Sequence, residues 1–348
     1  MISNPNGLDL NDREKDILRH VVYNYIQTAT PIGSRYISKR SASTLSPATI
    51  RNSMADLEER GFLFHPHTSA GRVPTDLGYR FYIEFLMEVQ QLSDRQKLEI
   101  AQQLDLVTEQ ETLLRETSKI LGKISKQLSI VASPHISSGI FERLELIPIS
   151  SVKLLVVMSI RSGLVKTIML EVRIELPRQR LENIARILNE RLNGLSLEQI
   201  RNSFPERIKD LQDQESGLIR LFIDSVDILF SDAINRDKVH ISGAQNIIDQ
   251  PEFIDPKKFR SVIELIENNE LIVHLLEKHE EIDSKYTVTI GTENEETKAT
   301  EYSFVSGTYD VQGLKGRIGV MGPKRMDYAK VIPLVDYVAK TIARILSE

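Results

Sequence analysis

Arg51 and Asn52 stand side by side in Ser46-Pro47-Ala48-Thr49-Ile50-Arg51-Asn52-Ser53-Met54-Ala55-Asp56-Leu57-Glu58-Glu59-Arg60-Gly61. They are the side chains of this stretch best suited to read a base edge. A guanidinium forks onto guanine, and a carboxamide pairs with adenine or meets a phosphate. Ser46 and Thr49 carry hydroxyls that suit phosphate oxygens, as do the backbone N–H groups at a helix start. Ala48 is small enough to meet a thymine methyl. This chemistry is recognition of a DNA major groove, not turnover. His20, His135, His240, His274 and His279 are scattered, and no nucleophile elbow, paired metal motif or Walker sequence accompanies them. No enzyme is expected. His65 and His67 lie at i and i+2 on a Pro-broken segment with no third ligand nearby, so no metal is expected there.

A helix must carry these groups, and its punctuation is clear. Ser46 can cap it, Pro47 sits where a missing N–H costs nothing, and Gly61 can end it. Ile50, Met54 and Leu57 fall at i, i+4 and i+7, one apolar stripe opposite the reading face. Upstream, residues 9–29 read as a helix capped by Asp9 or Asn11, with Ile17, Val21, Val22 and Tyr25 at helical spacing. Thr30-Pro31-Ile32-Gly33 is a turn, and Ser34 caps a short helix through about Arg40. Downstream, Phe62 to Pro74 reads as two short strands around a small-residue tip. That layout is a helix-turn-helix followed by a wing. The wing offers His67 for a phosphate and Arg72 for the backbone or minor groove. Thr75 then caps a further helix, from Asp76 to about Gln90.

The 348 residues exceed one ordinary core, and two or three domains are expected. Hydrophobic content of 41% and charged content of 27% are those of a soluble globular protein. There is no Cys, which excludes disulfides and thiolate metal sites and permits a cytoplasmic setting. The first residues, Met1 to Gly7, lack the basic and apolar regions of a signal peptide. The longest apolar run, Leu154 to Met158, is too short to cross a bilayer. With a net charge of −5, contact with DNA must be local. Residues 33–80 hold seven Lys and Arg against four Asp and Glu, a modest excess that fits one half of a dimeric DNA binder.

Residues 94–130 read as one long helix joining domains, with Ile100, Leu104, Leu114, Leu121 and Leu128 near heptad spacing. Leu154 to Ile160 reads as a central strand, and Leu164 to Glu175 as a half-exposed one. Residues 178–234 read as helical, with Leu181, Ile184, Ala185, Leu188 and Leu192 in one stripe. Leu218 to Phe230 is apolar around most of its circumference, so it is expected to pack against another subunit. Helices at 257–279, strands at 286–291, 302–306 and 317–321, and a helix from Met326 to Leu346 complete the chain. Two strands early and three late suggest one sheet domain interrupted by a helical insert. Gly313, Gly316, Gly319 and Gly322 fit neither the P-loop nor the dinucleotide fingerprint, and read as turns and a close-packed strand.

Pro31-Ile32-Gly33-Ser34-Arg35, Leu45 to Asn52, Pro66 to Thr75 and Gly78-Tyr79-Arg80 together resemble the N-terminal signature of the HrcA family, the bacterial heat-inducible transcription repressors. Gly291-Thr292-Glu293-Asn294 and Gly319 to Tyr328, far downstream, resemble the same family. The resemblance implies an α+β multidomain fold: a winged helix-turn-helix at 1–90, a GAF-like α/β domain at 91–176 and 236–348, and a helical inserted dimerisation domain at 177–235. It implies a homodimer on double-stranded DNA carrying an inverted-repeat CIRCE operator, and repression of heat-shock chaperone operons in a cytoplasmic stress response. It also implies that heat removes active repressor and that the GroE chaperonin restores it. No cofactor and no membrane are implied. The expected DNA-contacting residues are Ser34, Arg35, Ser46, Ala48, Thr49, Arg51, Asn52, His67 and Arg72. Two alternatives stay open: a regulator whose GAF-like domain binds a metabolite, and an interaction protein without DNA.

Overall fold

Asn11 starts the first element. Its side-chain oxygen accepts the Glu14 N–H at 3.0 Å, and Glu14 reaches back to the Asn11 N–H at 2.9 Å, a capping box. The computed structural model describes residues 9–40, 45–67, 70–107, 109–134, 136–161, 163, 165–172, 177–211, 216–230, 239–248, 250–253, 255–277, 286–294 and 299–347. His135, Ile174 and His279 lie outside them, as do 41–44, 68 and 69.

Helix α1 (Asp12–Thr28) ends at Ala29 in the left-handed conformation, φ 52°. Then come α2 (Ser34–Arg40), α3 (Pro47–Glu59), the short strands β1 (Leu63–Phe64) and β2 (Val73–Pro74), and α4 (Asp76–Phe81). A π turn, Tyr82–Leu86, extends α4, so the helix expected to reach Gln90 stops at Leu86. α5 (Asp94–Asp105) and α6 (Gln110–Ser125) follow, then β3 (Leu128–Ala132). The single helix expected over 94–130 is therefore two helices and a strand. Leu106 closes α5, and Lys126 closes α6 with φ 55°. The near-heptad spacing ran through that break because each piece buries its own apolar positions.

Next come β4 (Phe141–Ser150), β5 (Lys153–Ile160), β6 (Val165–Glu171), α7 (Arg178–Leu192), α8 (Leu197–Arg207), α9 (Ser216–Asp224) and α10 (Val226–Phe230). The chain continues through β7 (Val239–Ser242), α11 (Ala244–Ile248), α12 (Pro256–Glu267), α13 (Asn269–Glu277), β8 (Tyr286–Ile290), β9 (Tyr302–Val311), β10 (Leu314–Pro323) and α14 (Tyr328–Ser347). Gln312 and Gly313, with φ 53° and 89°, make the two-residue turn between β9 and β10. Among the described residues no helix is long and apolar enough to cross a membrane.

The chain divides into two compact units. Residues 1–131, 240–307 and 318–341 form one, and residues 132–239, 308–317 and 342–348 form the other. The first unit holds α1–α6, the β1–β2 hairpin and most of a five-stranded sheet ordered β7-β3-β10-β9-β8. Ser303, Phe304 and Val305 of β9 and Ile318, Val320 and Met321 of β10 are all buried, as the centre of a covered sheet requires. Burial pushes the hydroxyls of Tyr82 and Tyr302 up to about 12, and raises those of Tyr79 and Tyr328 as well.

The second unit holds an antiparallel three-stranded sheet, β4-β5-β6. β5 is central, but in this sheet and not in the five-stranded one. Its buried positions alternate, Leu154, Val156, Met158 and Ile160, because only one face is covered. The continuous apolar run hid that alternation. α7, α8, α9 and α10 supply the cover: Leu181, Ile184, Leu188, Ile200, Phe204, Phe222 and Phe230 join the strands in one core. The expectation that Leu218 to Phe230 needs another subunit is corrected here. Leu218, Ile219, Phe222, Leu229 and Phe230 are at most 1% exposed within the chain, and the Phe204 and Phe230 rings meet at 5.3 Å. The other helices and the sheet face absorb that surface.

Candidate nucleic-acid interface

Ser46 begins α3 in extended conformation, and its Oγ accepts the Thr49 N–H at 3.1 Å. The Ser46 and Thr49 hydroxyl oxygens lie 3.0 Å apart. One proton joins them, so one hydroxyl proton remains for an outside acceptor. Pro47 has no N–H, and Ile50 donates to the Ser46 carbonyl at 3.0 Å. The Ala48 N–H is thus left at the tip without an acceptor in the helix, where the helix dipole favours an anion.

Ile50 and Leu57 are fully buried and Met54 nearly so. α3 packs through them against α1 and α2. The opposite face is open: Ser46, Ala48, Arg51 and Asn52 are exposed, and Thr49 is half-buried. At the far end the Gly61 N–H donates to the Glu58 carbonyl at 2.9 Å and the Phe62 N–H to the Leu57 carbonyl at 2.9 Å, with Gly61 at φ 80°. This is the double closure that a left-handed glycine permits. Arg60 ties α3 to the start of α1, donating to Glu14 at 3.1 Å and to the Asp9 carbonyl at 3.0 Å.

The hairpin pairs Leu63 with Pro74 and Phe64 with Val73. A third segment joins it: Ile32 and Arg72 exchange both backbone hydrogen bonds at 2.9 Å. Gly71 makes this possible, since a Cβ there would lie 2.4 Å from the Ile32 carbonyl. Glu58, on α3, accepts from both strands' sides. One carboxylate oxygen meets His65 Nδ1 at 2.9 Å and the other meets Arg72 at 2.7 Å.

The structure thus gathers Ser46, Ala48, Thr49, Arg51 and Asn52 on one helix. Arg35, on α2, and His67, on the hairpin, are exposed. Ser34 is buried at the start of α2, 7% exposed. The Arg72 side chain is 12% exposed and turned to Glu58. Sequence reasoning passed over Glu58, which read as one acid in a charged helix end. It also passed over the Tyr36–Arg40 pair, where the guanidinium donates to the tyrosine hydroxyl and lies 4.5 Å from the ring centroid. Their i, i+4 spacing was the available signal.

Residues 111–332 match the family model described as HrcA protein C terminal domain. The chain is 42% identical to the heat-inducible transcription repressor HrcA of Chlorobium phaeobacteroides (strain BS1), covering 97% of this chain and 99% of that protein. It is 40% identical to the protein of the same name from Prosthecochloris aestuarii, covering 98% of this chain and 99% of that one. A crystal structure described as that of a hypothetical protein superposes with a TM-score of 0.56 at 23% identity, over 97% of this chain and 99% of its own length.

Proposed function

From membership of the HrcA family of heat-inducible transcription repressors, to which this chain belongs, we propose that it binds an inverted-repeat CIRCE-type operator as a homodimer and represses chaperone operons. The family is not enzymatic, and DNA binding follows from its role. In this reading α1, α2 and α3 with the β1–β2 hairpin are a winged helix, and the five-stranded sheet is a GAF-like body. The observation that carries it is the split character of α3. Arg51 and Asn52 face out beside an anion-seeking helix tip, while Ile50, Met54 and Leu57 anchor the back. A helix so built enters a major groove end-on.

Arg51 reads a guanine edge, and Asn52 an adenine or a phosphate. Ser46, Thr49 and the Ala48 N–H hold phosphate, with Arg35 and His67 adding backbone contacts from α2 and the wing. Ser34 and Arg72 work from beneath: Ser34 seats α2, and Arg72 reaches the wing's footing through Glu58.

The dimer reading draws support from the sheet of the second unit, β4-β5-β6, which packs with the helices of 177–235 in one core. On its outer face Ile147, Leu155 and Met169 stand in register across the three strands. Ile147, Ile149, Val165 and Met169 are 39%, 53%, 59% and 50% exposed. This apolar row, flanked by charged and polar residues such as Arg143, Glu145 and Glu171, has the character of an association surface with a polar rim, and a symmetric dimer would offer two reading helices to a symmetric operator. Heat relieves repression and GroE restores it through the repressor's own marginal stability, since a small loss of folding free energy changes the active fraction severalfold. The setting is the cytoplasm, where operator and chaperonin are found.

A mobility shift on an inverted-repeat duplex and a scrambled duplex, at two temperatures and two salt concentrations, tests this. Preference for the repeat, lost on heating and regained with GroE, is expected. Equal affinity for both duplexes at every condition overturns it.

A further inference from the structure

The two stretches of sequence that resemble one family, around residue 80 and around residue 291, meet in space. Asp76 opens α4, directly after the hairpin. One of its carboxylate oxygens accepts both the Thr292 N–H and the Thr292 hydroxyl at 3.0 Å. The other pairs with Lys324 at 2.8 Å. One turn on, Arg80 donates to the Val288 carbonyl at 2.7 Å and grips Glu293 with two nitrogens, one at 2.8 Å. Glu293 is itself fixed by the Ile290 N–H at 2.8 Å, and Asn294 braces the turn by donating to the Gly291 and Tyr302 carbonyls at 3.0 Å.

The fit is close. Gly291 lies at φ 56°, and a Cβ there would sit 2.2 Å from the Asp76 carboxylate. From a second side Arg325 holds Glu252 through two nitrogens and Gln250 at 3.1 Å. It also reaches the Ile26 carbonyl in the last turn of α1 at 3.4 Å. The reading module is therefore clamped to the sheet through α4 and through α1. Each contact is partly shielded from water: Asp76, Lys324 and Arg80 side chains are 21%, 28% and 26% exposed.

We infer that this joint determines operator spacing. Asp76 and Arg80 are positioning residues: they act away from the reading face, and they fix the angle between the module that carries α3 and the sheet. In a symmetric dimer that angle enters directly into the separation of the two reading helices, and so into the spacer that fits. The inference rests on the operator reading above. A stiff joint makes one spacer bind well and its neighbours badly. A loose joint lets each head find its half-site at several separations, at some loss of affinity for the best one.

The test is a titration of the full chain on inverted-repeat duplexes with the optimal spacer and with spacers changed by about one base pair, roughly a tenth of a helical turn. A duplex with one half-site is run alongside. The unaltered chain should favour the optimal spacer by about tenfold or more. Asp76→Asn, which keeps shape and removes charge, should shrink that ratio to within about threefold and leave single-half-site binding within about twofold. Gly291→Ala keeps every charge and wedges the turn from Asp76, so it should do the same and serves if Asp76→Asn fails to fold. A ratio unchanged in a folded variant overturns the inference. An unaltered chain that prefers no repeat fails the operator reading instead.

Discussion

The Arg72 guanidinium lies 2.7 Å from Glu58 Oε2, so the second arm of the hairpin is tied by charge to the far end of α3. His65, on the first strand's side, takes the other carboxylate oxygen. One acidic residue of α3 thus holds both sides of the hairpin. The pairing turns the Arg72 side chain toward α3, whereas His67 on the same hairpin stays exposed.

Replacing Glu58 by Gln should loosen the wing without unfolding α3. The nearly covered Arg72 would lose its anionic partner, and a buried charged group left so costs about 1–3 kcal/mol. Urea unfolding should show a loss in that range, with weaker operator binding. Unchanged stability and binding would show that the carboxylate is dispensable.

Arg51→Ala should lower affinity for the operator by about 1–3 kcal/mol at fixed salt, and relax discrimination at the base it reads. Folding should be little changed, because the side chain is exposed. Equal affinity for the native operator and for one altered at that base, in the unaltered chain, would refute the assignment.

Arg35→Ala removes charge from α2 without touching α3. Binding should weaken evenly across sequences, and the slope of log affinity against log salt should fall by about one. A sequence-dependent loss would place Arg35 among the base readers.

Met169→Glu puts a carboxylate on edge strand β6, in the apolar row beside Leu155 of β5. Burying an unpaired charge is strongly unfavourable, so the dimer should dissociate at least about tenfold more readily while the monomer stays folded. Sedimentation equilibrium reads this directly. A variant that remains dimeric moves the interface elsewhere.

Alkaline pH should unfold the protein through its buried tyrosines. Tyr82 and Tyr302 ionise at about 12 in the fold against 10.0 ordinarily, because burial penalises the phenolate. The fold holds the proton more tightly, so this stability is complete below pH 10 and drains as pH rises from 10 to 12. Phenolate absorbance should therefore rise in two stages, the later one together with loss of helical circular dichroism.

The reading helix was legible because its signals are local. Ser46, Pro47, the Ile50–Met54–Leu57 stripe and Gly61 all act within one element, and the structure has each in that role. The strands at 286–290 and 302–311 and the closing helix were legible for the same reason. What escaped needed partners remote in sequence. Leu154 to Ile160 is apolar throughout, and nothing in the run tells which sheet it enters or that α7 to α10 cover one face only. Leu218 to Phe230 looked stranded because its cover comes from α7, α8 and strands far earlier in the chain. At 94–130 the apolar spacing persisted across the interruption between α5 and α6. Within the interface the exposed groups could be named from the helix pattern, whereas Glu58 could not. Its importance exists only once the hairpin folds back over α3.

The backbone exchange between Ile32 and Arg72 has a thermal corollary. It closes a large loop that encloses α2, α3 and the first hairpin strand, and the closure entropy is recovered only when all of them are in place. The head should accordingly melt in a single concerted step. Warming would then not fray the wing first and spare the helix. It would convert whole heads from competent to blank, which is the sharp response a temperature-triggered gene switch requires.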